Sequence, residues 1–180
     1  MTGLVVFLGA FLLFCVELLV GKVALPRFGG APAVWTTSLF FFQLALLGGY
    51  GWAQRLAAAQ ASWQKRLHLG LLGTAVLAVA VQAVTWPAPL VPPASPAGGD
   101  LMKEMAWLLG MSVGLPFLAL SATAPLVQVW AARGGHAAPW RLYALSNAGA
   151  LAALLVYPLL AEPRMGLRAQ GWTWAGLFLL

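Results

Sequence analysis

The chain has 180 residues, of which 62% are apolar and 8% charged, with a net charge of +6 and a mean hydropathy of +0.87. A water-soluble domain is roughly 45–50% apolar and about 25% charged, so this composition excludes a soluble globule and indicates an integral membrane protein. The basic residues lie between apolar stretches, where headgroups and the positive-inside rule account for them, and nucleic acid is not an expected partner.

A spanning helix needs roughly 20 apolar residues. Five stretches reach that length, at about residues 4–21, 34–53, 68–86, 105–132 and 142–160, and a sixth covers only 170–180. The expected fold is therefore all-α: a single transmembrane helical domain with five full helices and a partial sixth. The last stretch gives about 16 Å of helix against a hydrocarbon core of roughly 30 Å. It reads as a half-span or as the beginning of a C-terminal continuation.

The first stretch has no basic n-region, carries Glu17 within its apolar run and lacks a clean cleavage site, so it reads as an uncleaved helix and not a signal peptide. The single cysteine, Cys15, excludes an intrachain disulfide or a cysteine-rich metal site. Glu17 is the one acid inside a span, and an intramembrane carboxylate usually faces protein or water and finds a partner. Lys22 is the nearest base, but five residues turn a helix by about 500°, some 140° away from the same face. Glu17 thus requires a helix end by Gly21, with Lys22 as donor, or a donor such as Arg141 on another helix. Its role is a structural polar contact or a proton- or cation-coupled site.

In the second stretch Ala45, Gly49 and Ala53 recur every four residues, as do Gly70, Thr74 and Ala78 in the third and Ala144, Ala148 and Ala152 in the fifth. Small residues at this spacing let helix backbones approach closely. Gln43 and Asn147 are expected as buried polar groups bonding between helices. The segment from Pro87 to Asp100 contains too many prolines and glycines for a helix and is expected as an extramembrane loop.

The fourth stretch contains Pro116 and Pro125, each of which deprives a carbonyl four residues earlier, at Ser112 and Ser121, of its donor. A kink is expected at one or both. A broken helix with Ser121, Thr123 and Gln128 beside it suits a transporter site and equally a packing kink.

Trp35, Trp52, Trp86 and Trp130, with Tyr143 and Tyr157, fall where interfacial anchors are expected. The connections on the two sides carry equal numbers of bases. Arg55, Lys65, Arg66, Arg133 and Arg141 lie on the side of the N-terminus, and Lys22, Arg27, Lys103, Arg164 and Arg168 on the other. Lys22 can snorkel from a helix end, and the second side also holds Asp100, Glu104 and Glu162, so the N-terminus is expected in the cytoplasm. Two histidines, His68 and His136, no metal-ligand cluster and no nucleotide-binding loop argue against catalysis. No cofactor is expected. His68 is the residue available to ligate a haem or chlorophyll.

The stretch VELLVGKVALPRFGGAPAVWTTSLFFFQLALLGGYGWAQRL, from Val16 to Leu56, resembles the start of the membrane part of bacterial proteins that fuse a major-facilitator-like module to a spermidine-synthase-like domain. The matching positions are Glu17, Lys22, Pro26, Phe28, Gly29, Trp35, Thr36, Gly49, Tyr50 and Arg55. A later stretch resembles the second signature of that family through Ser121, Thr123, Pro125, Gln128, Trp130, His136, Tyr143, Ser146, Asn147, Tyr157, Pro158, Glu162 and Pro163. Ala150 stands where the family often has serine, Gly-Trp-Ala-Gln replaces its glycine-rich approach to Arg55, and its synthase domain has no counterpart in this sequence. The resemblance implies half of a transporter-like fold in the bacterial inner membrane, non-catalytic, acting in transport or as an anchor. The rival reading is an accessory subunit of a larger respiratory or photosynthetic membrane complex. The expected partners are the bilayer and either other membrane subunits or a C-terminal continuation.

Overall fold

The computed structural model describes residues 2–85, 100–135 and 140–180. Every element among them is helical: α1 (Thr2–Phe28), α2 (Pro32–Ala58), α3 (Ala61–Thr85), α4 (Leu101–Leu109), α5 (Leu115–Arg133), α6 (Trp140–Val156), α7 (Glu162–Arg164) and α8 (Leu167–Phe178). A π-helical turn, Gly110–Gly114, joins α4 to α5, and another, Tyr157–Ala161, joins α6 to α7. Five continuous helical stretches are long and apolar enough to cross a bilayer, so this is a polytopic helical membrane protein. Trp86, His136 and nearly all of the loop expected from Pro87 to Asp100 lie outside the described residues.

The helices run beyond the apolar windows that announce them, because a backbone leaving the hydrocarbon stays hydrogen-bonded until a stop signal appears. In α1 that signal is Gly29, whose φ of +74° is open to glycine and whose N–H closes on Leu25 O at 2.8 Å. Pro32 then starts α2 in its first turn. Asp100 caps α4, its carboxylate accepting from Lys103 N.

Helices α1 and α5 form the centre. α6 lies along α1, α2 and α3 lie on α5, and α8 closes against α1 and α3. The core between them holds Val20, Met105, Leu109 and Phe117, all fully buried, with Phe42 tilted against Phe117 at 5.0 Å between ring centroids. The outer surface is apolar: Phe40, Leu47, Leu77, Leu151 and Leu159 are all more than half exposed, as a lipid-facing surface requires.

Two glycines set the closest approaches. A Cβ at Gly49 would overlap the Ser121 hydroxyl and lie 3.0 Å from the backbone nitrogen of Ala122. A Cβ at Gly149 would overlap the Phe7 carbonyl oxygen and stand 3.3 Å from the Phe11 nitrogen. The small-residue stripe of α2 is thus a packing face. Those expected in the other two helices are not: Gly70, Thr74, Ala144 and Ala148 are exposed, and α3 and α6 instead turn Ala75, Val79, Gly149 and Ala153 inward. A four-residue repeat marks several faces of a helix rich in small residues, and the larger side chains opposite select among them.

The interruption expected in the fourth stretch occurs at Pro116 and not at Pro125. The π-helical turn directly before Pro116 widens the ladder, and Ser112 Oγ donates back to Leu108 O at 2.7 Å in that turn. Pro125 sits inside an uninterrupted α5. A second widened turn occurs at Pro158, in the helix that follows.

The side carrying the N-terminus holds Arg55, Lys65, Arg66, Arg133 and Arg141, all exposed. On the opposite side two ion pairs join different helices, Lys22 to Glu162 at 3.1 Å and Arg27 to Glu104 at 2.9 Å, and Lys103 pairs locally with Asp100 at 3.1 Å across the first turn of α4.

Candidate functional site

The polar residues that α3 buries lie on one face. Gln64 and His68, one turn apart, are each 3% exposed and lead into Ala75 and Val79 along the same stripe. α5 meets this face with Thr123 and, two turns on, Trp130, while α2 supplies Ala53 and Leu56 around Ala122 and Leu126. The junction of the three helices is thus apolar in its packing, with two hydrogen-bonded groups in it, Thr123–His68 and Trp130–Gln64, that meet through the His68 and Trp130 rings.

The first begins inside α5, where Thr123 Oγ1 donates to Ala119 O at 2.7 Å. His68 Nε2 lies 3.1 Å from the same hydroxyl oxygen. A hydroxyl has one hydrogen; with it on Ala119 O the oxygen accepts from His68 Nε2–H, and in the neutral ring Nδ1 then carries a lone pair. The imidazole meets the Trp130 ring edge-on at 6.2 Å. Trp130 Nε1 donates to Gln64 Oε1 at 2.8 Å, and Gln64 Nε2 donates to Ala59 O at 2.7 Å and to Ala57 O at 3.2 Å. Arg133 also donates to Ala57 O, at 2.8 Å, so the second group leads to the basic surface. Two buried atoms near this junction have no hydrogen-bond partner among the described residues: the lone pair of His68 Nδ1 and the indole N–H of Trp52.

Of the residues singled out from the sequence, Thr123 belongs to the first group and Ser121 lies beside it. Ser121 is buried, but its hydroxyl donates to Leu118 O and faces Gly49, so it serves the α2–α5 contact. Gln128 is half-buried and makes no hydrogen bond among the described residues. Gln43 and Asn147, expected inside the bundle, are exposed. Phe42, one residue from Gln43, and Gly149, two from Asn147, take the inward positions, rotations of about 100° and 200° along the helix. Trp35 is exposed, as an anchor is, whereas Trp52 and Trp130 pack against the α2–α5 cluster.

Glu17 is half-buried and makes no hydrogen bond or ion pair among the described residues. The expected partner, Lys22, pairs with Glu162, because α1 does not stop at Gly21 but runs to Phe28 and keeps the two side chains on different faces. His68, expected at the start of a helix, lies two turns inside α3, with Nε2 engaged by Thr123 and Nδ1 without a partner among the described residues. Gln64 and Trp130 as a hydrogen-bonded pair escaped the sequence reading, since Gln64 precedes the apolar window and nothing local links residues 66 positions apart.

In comparisons with family models, curated proteins and solved structures, none matches this chain.

Proposed function

We propose that the chain is a transporter-like membrane module, non-catalytic in itself, in which the His68–Thr123 junction binds a proton or a small polar solute. The observation that carries this reading is the open Nδ1 lone pair of His68. A ring buried to 3% exposure, hydrogen-bonded on one nitrogen and bare on the other, offers an acceptor in a place where an unused polar atom is costly. The same spanning helix widens into a π-helical turn before Pro116, and such turns are frequent at functional sites. The relationship to the membrane part of the synthase-fused proteins, and residence in a bacterial inner membrane, belong to the same proposal. A cytoplasmic N-terminus is part of it as well: the two sides carry five bases each, and three of those opposite the N-terminus are held in ion pairs.

The test is flux into proteoliposomes containing the purified full chain, measured with a pH-sensitive dye under an imposed potential. His68→Phe should abolish a protein-dependent proton flux while the variant remains monodisperse. Undiminished flux in the variant, or none in the wild type, refutes the proton assignment.

A second reading, an accessory or anchoring subunit of a larger membrane complex, is favoured by Gln43 and Asn147. Both amides lie well inside spanning helices and are exposed, and a polar group facing lipid gains from a neighbouring helix. Copurification of a stoichiometric partner, lost in Gln43→Leu or Asn147→Leu, supports it over the first.

A further inference from the structure

A cavity of about 340 Å³ opens between α1, the end of the α6–α7 stretch and α8, away from the His68 junction. The three walls run in register. Leu19, Arg164 and Gln170 lie toward the side of the ion pairs, whereas Phe11, Val156 and Leu177 lie deeper in the span. From Leu19 to Phe11 the cavity extends about 12 Å along α1. Its deep end is apolar, and its outer end carries the Arg164 guanidinium, exposed and held by a bond to Leu159 O at 2.7 Å. The acid nearest in sequence, Glu162, is paired with Lys22, so Arg164 is the charge at that end of the lining. The N-terminal end of α8 adds partial positive charge there.

An almost wholly apolar shaft aligned along the span, with one arginine at its outer end, matches an amphiphile with an anionic head. We propose that this cavity holds one acyl chain of an anionic phospholipid, with the phosphate at Arg164. The size lies at the lower end of the range for ligand pockets, and basic groups at the mouths of interhelical clefts are known to take anionic headgroups. The site does not depend on the reading of the His68 junction.

Cys15 lines the shaft and is the only cysteine, which makes the occupant's position measurable. The full chain in detergent would be titrated with phosphatidylglycerol or phosphatidylcholine of equal chain length. Bound lipid would be counted by native mass spectrometry, and the rate of Cys15 alkylation by N-ethylmaleimide followed alongside. The expected result is one retained phosphatidylglycerol and a several-fold slower alkylation, with little effect of phosphatidylcholine. Arg164→Gln should weaken phosphatidylglycerol retention at least roughly tenfold, the worth of one hydrogen bond to a charged group. Leu160→Trp, which fills the shaft, should lower retention with Arg164 intact. Equal protection by both lipids, or retention unchanged in Arg164→Gln, overturns the headgroup assignment. Lipid bound without protecting Cys15, or Cys15 unreactive in lipid-free detergent because a second copy covers it, overturns the cavity as the site.

Discussion

Replacing Thr123 by valine and His68 by phenylalanine, singly and together, tests the hydrogen-bond geometry of the candidate site. Valine keeps the shape of threonine but removes the oxygen that accepts from His68 Nε2, leaving a buried N–H with nothing to donate to. Stranding a buried donor costs about 1–3 kcal/mol, although interhelical hydrogen bonds inside membranes average only about 0.6 kcal/mol and reach roughly 1.7. About 1–1.5 kcal/mol is therefore expected for Thr123→Val. His68→Phe behaves differently, because it removes one satisfied nitrogen together with one that has no partner, keeps most of the ring against Trp130, and leaves the Thr123 hydroxyl on Ala119 O. It should cost less than about 0.5 kcal/mol or stabilise the bundle. In the double variant the valine has no donor left to strand, so its stability should approach that of His68→Phe alone, with a coupling of about 1 kcal/mol. Unfolding in mixed dodecyl sulfate and maltoside micelles, followed by far-ultraviolet circular dichroism, measures all three. Additivity within about 0.3–0.5 kcal/mol, or a His68→Phe cost above that of Thr123→Val, would refute the assignment of donor and acceptor.

At the helix crossings, Gly149→Val should destabilise the bundle by about 1–3 kcal/mol, because the added carbons meet α1 backbone that cannot rotate away. Gly73→Ala, with open space around it, should leave stability unchanged or raise it by up to about 1 kcal/mol through helix propensity; the same micelle assay distinguishes them. Glu17→Leu should not lower stability, since no donor among the described residues is stranded by the change. Arg27→Ala should lower it by about 1–3 kcal/mol, breaking a largely buried pair with Glu104, and Lys22→Ala by less than about 1, its pair being exposed. The Asp100 carboxyl is held below the usual range by hydrogen bonds from the Lys103 side chain and backbone N–H. A depressed folded value means that its contribution is present above the ordinary aspartate range and lost as pH falls through the folded one. Since Asp100 is fully exposed, Asp100→Asn should leave the melting temperature at pH 7 unchanged, while carbon-detected NMR places the wild-type carboxyl titration below that of a free aspartate.

The hydrophobic length of the chain determined its architecture without tertiary information: five spanning helices follow from the thickness of hydrocarbon and from the cost of an unbonded backbone within it. Local chemistry also marked Pro116 as a candidate, since a proline lacks the N–H that bonds the carbonyl four residues earlier, but Pro125 has the same deficit and stays in an uninterrupted helix, so packing decided which of the two widens the ladder. Pro158 is equally visible in the sequence, but span length alone passes over it. Which face of each helix turns inward was decided by packing. Helices such as α2 and α6 carry no clear amphipathic stripe to read, so Gly149 rather than Ala148 meets α1, and Gln43 and Asn147 lie outside. The partners of polar groups were likewise set by tertiary structure. Glu17 and Lys22 are near in sequence and stay apart because one long helix holds them on different faces. His68 and Thr123, 55 residues apart, meet because α3 and α5 both pack on the centre of the bundle. Hydrophobic thickness acts on each segment alone and is legible one residue at a time, whereas a buried hydrogen bond needs two segments brought into register.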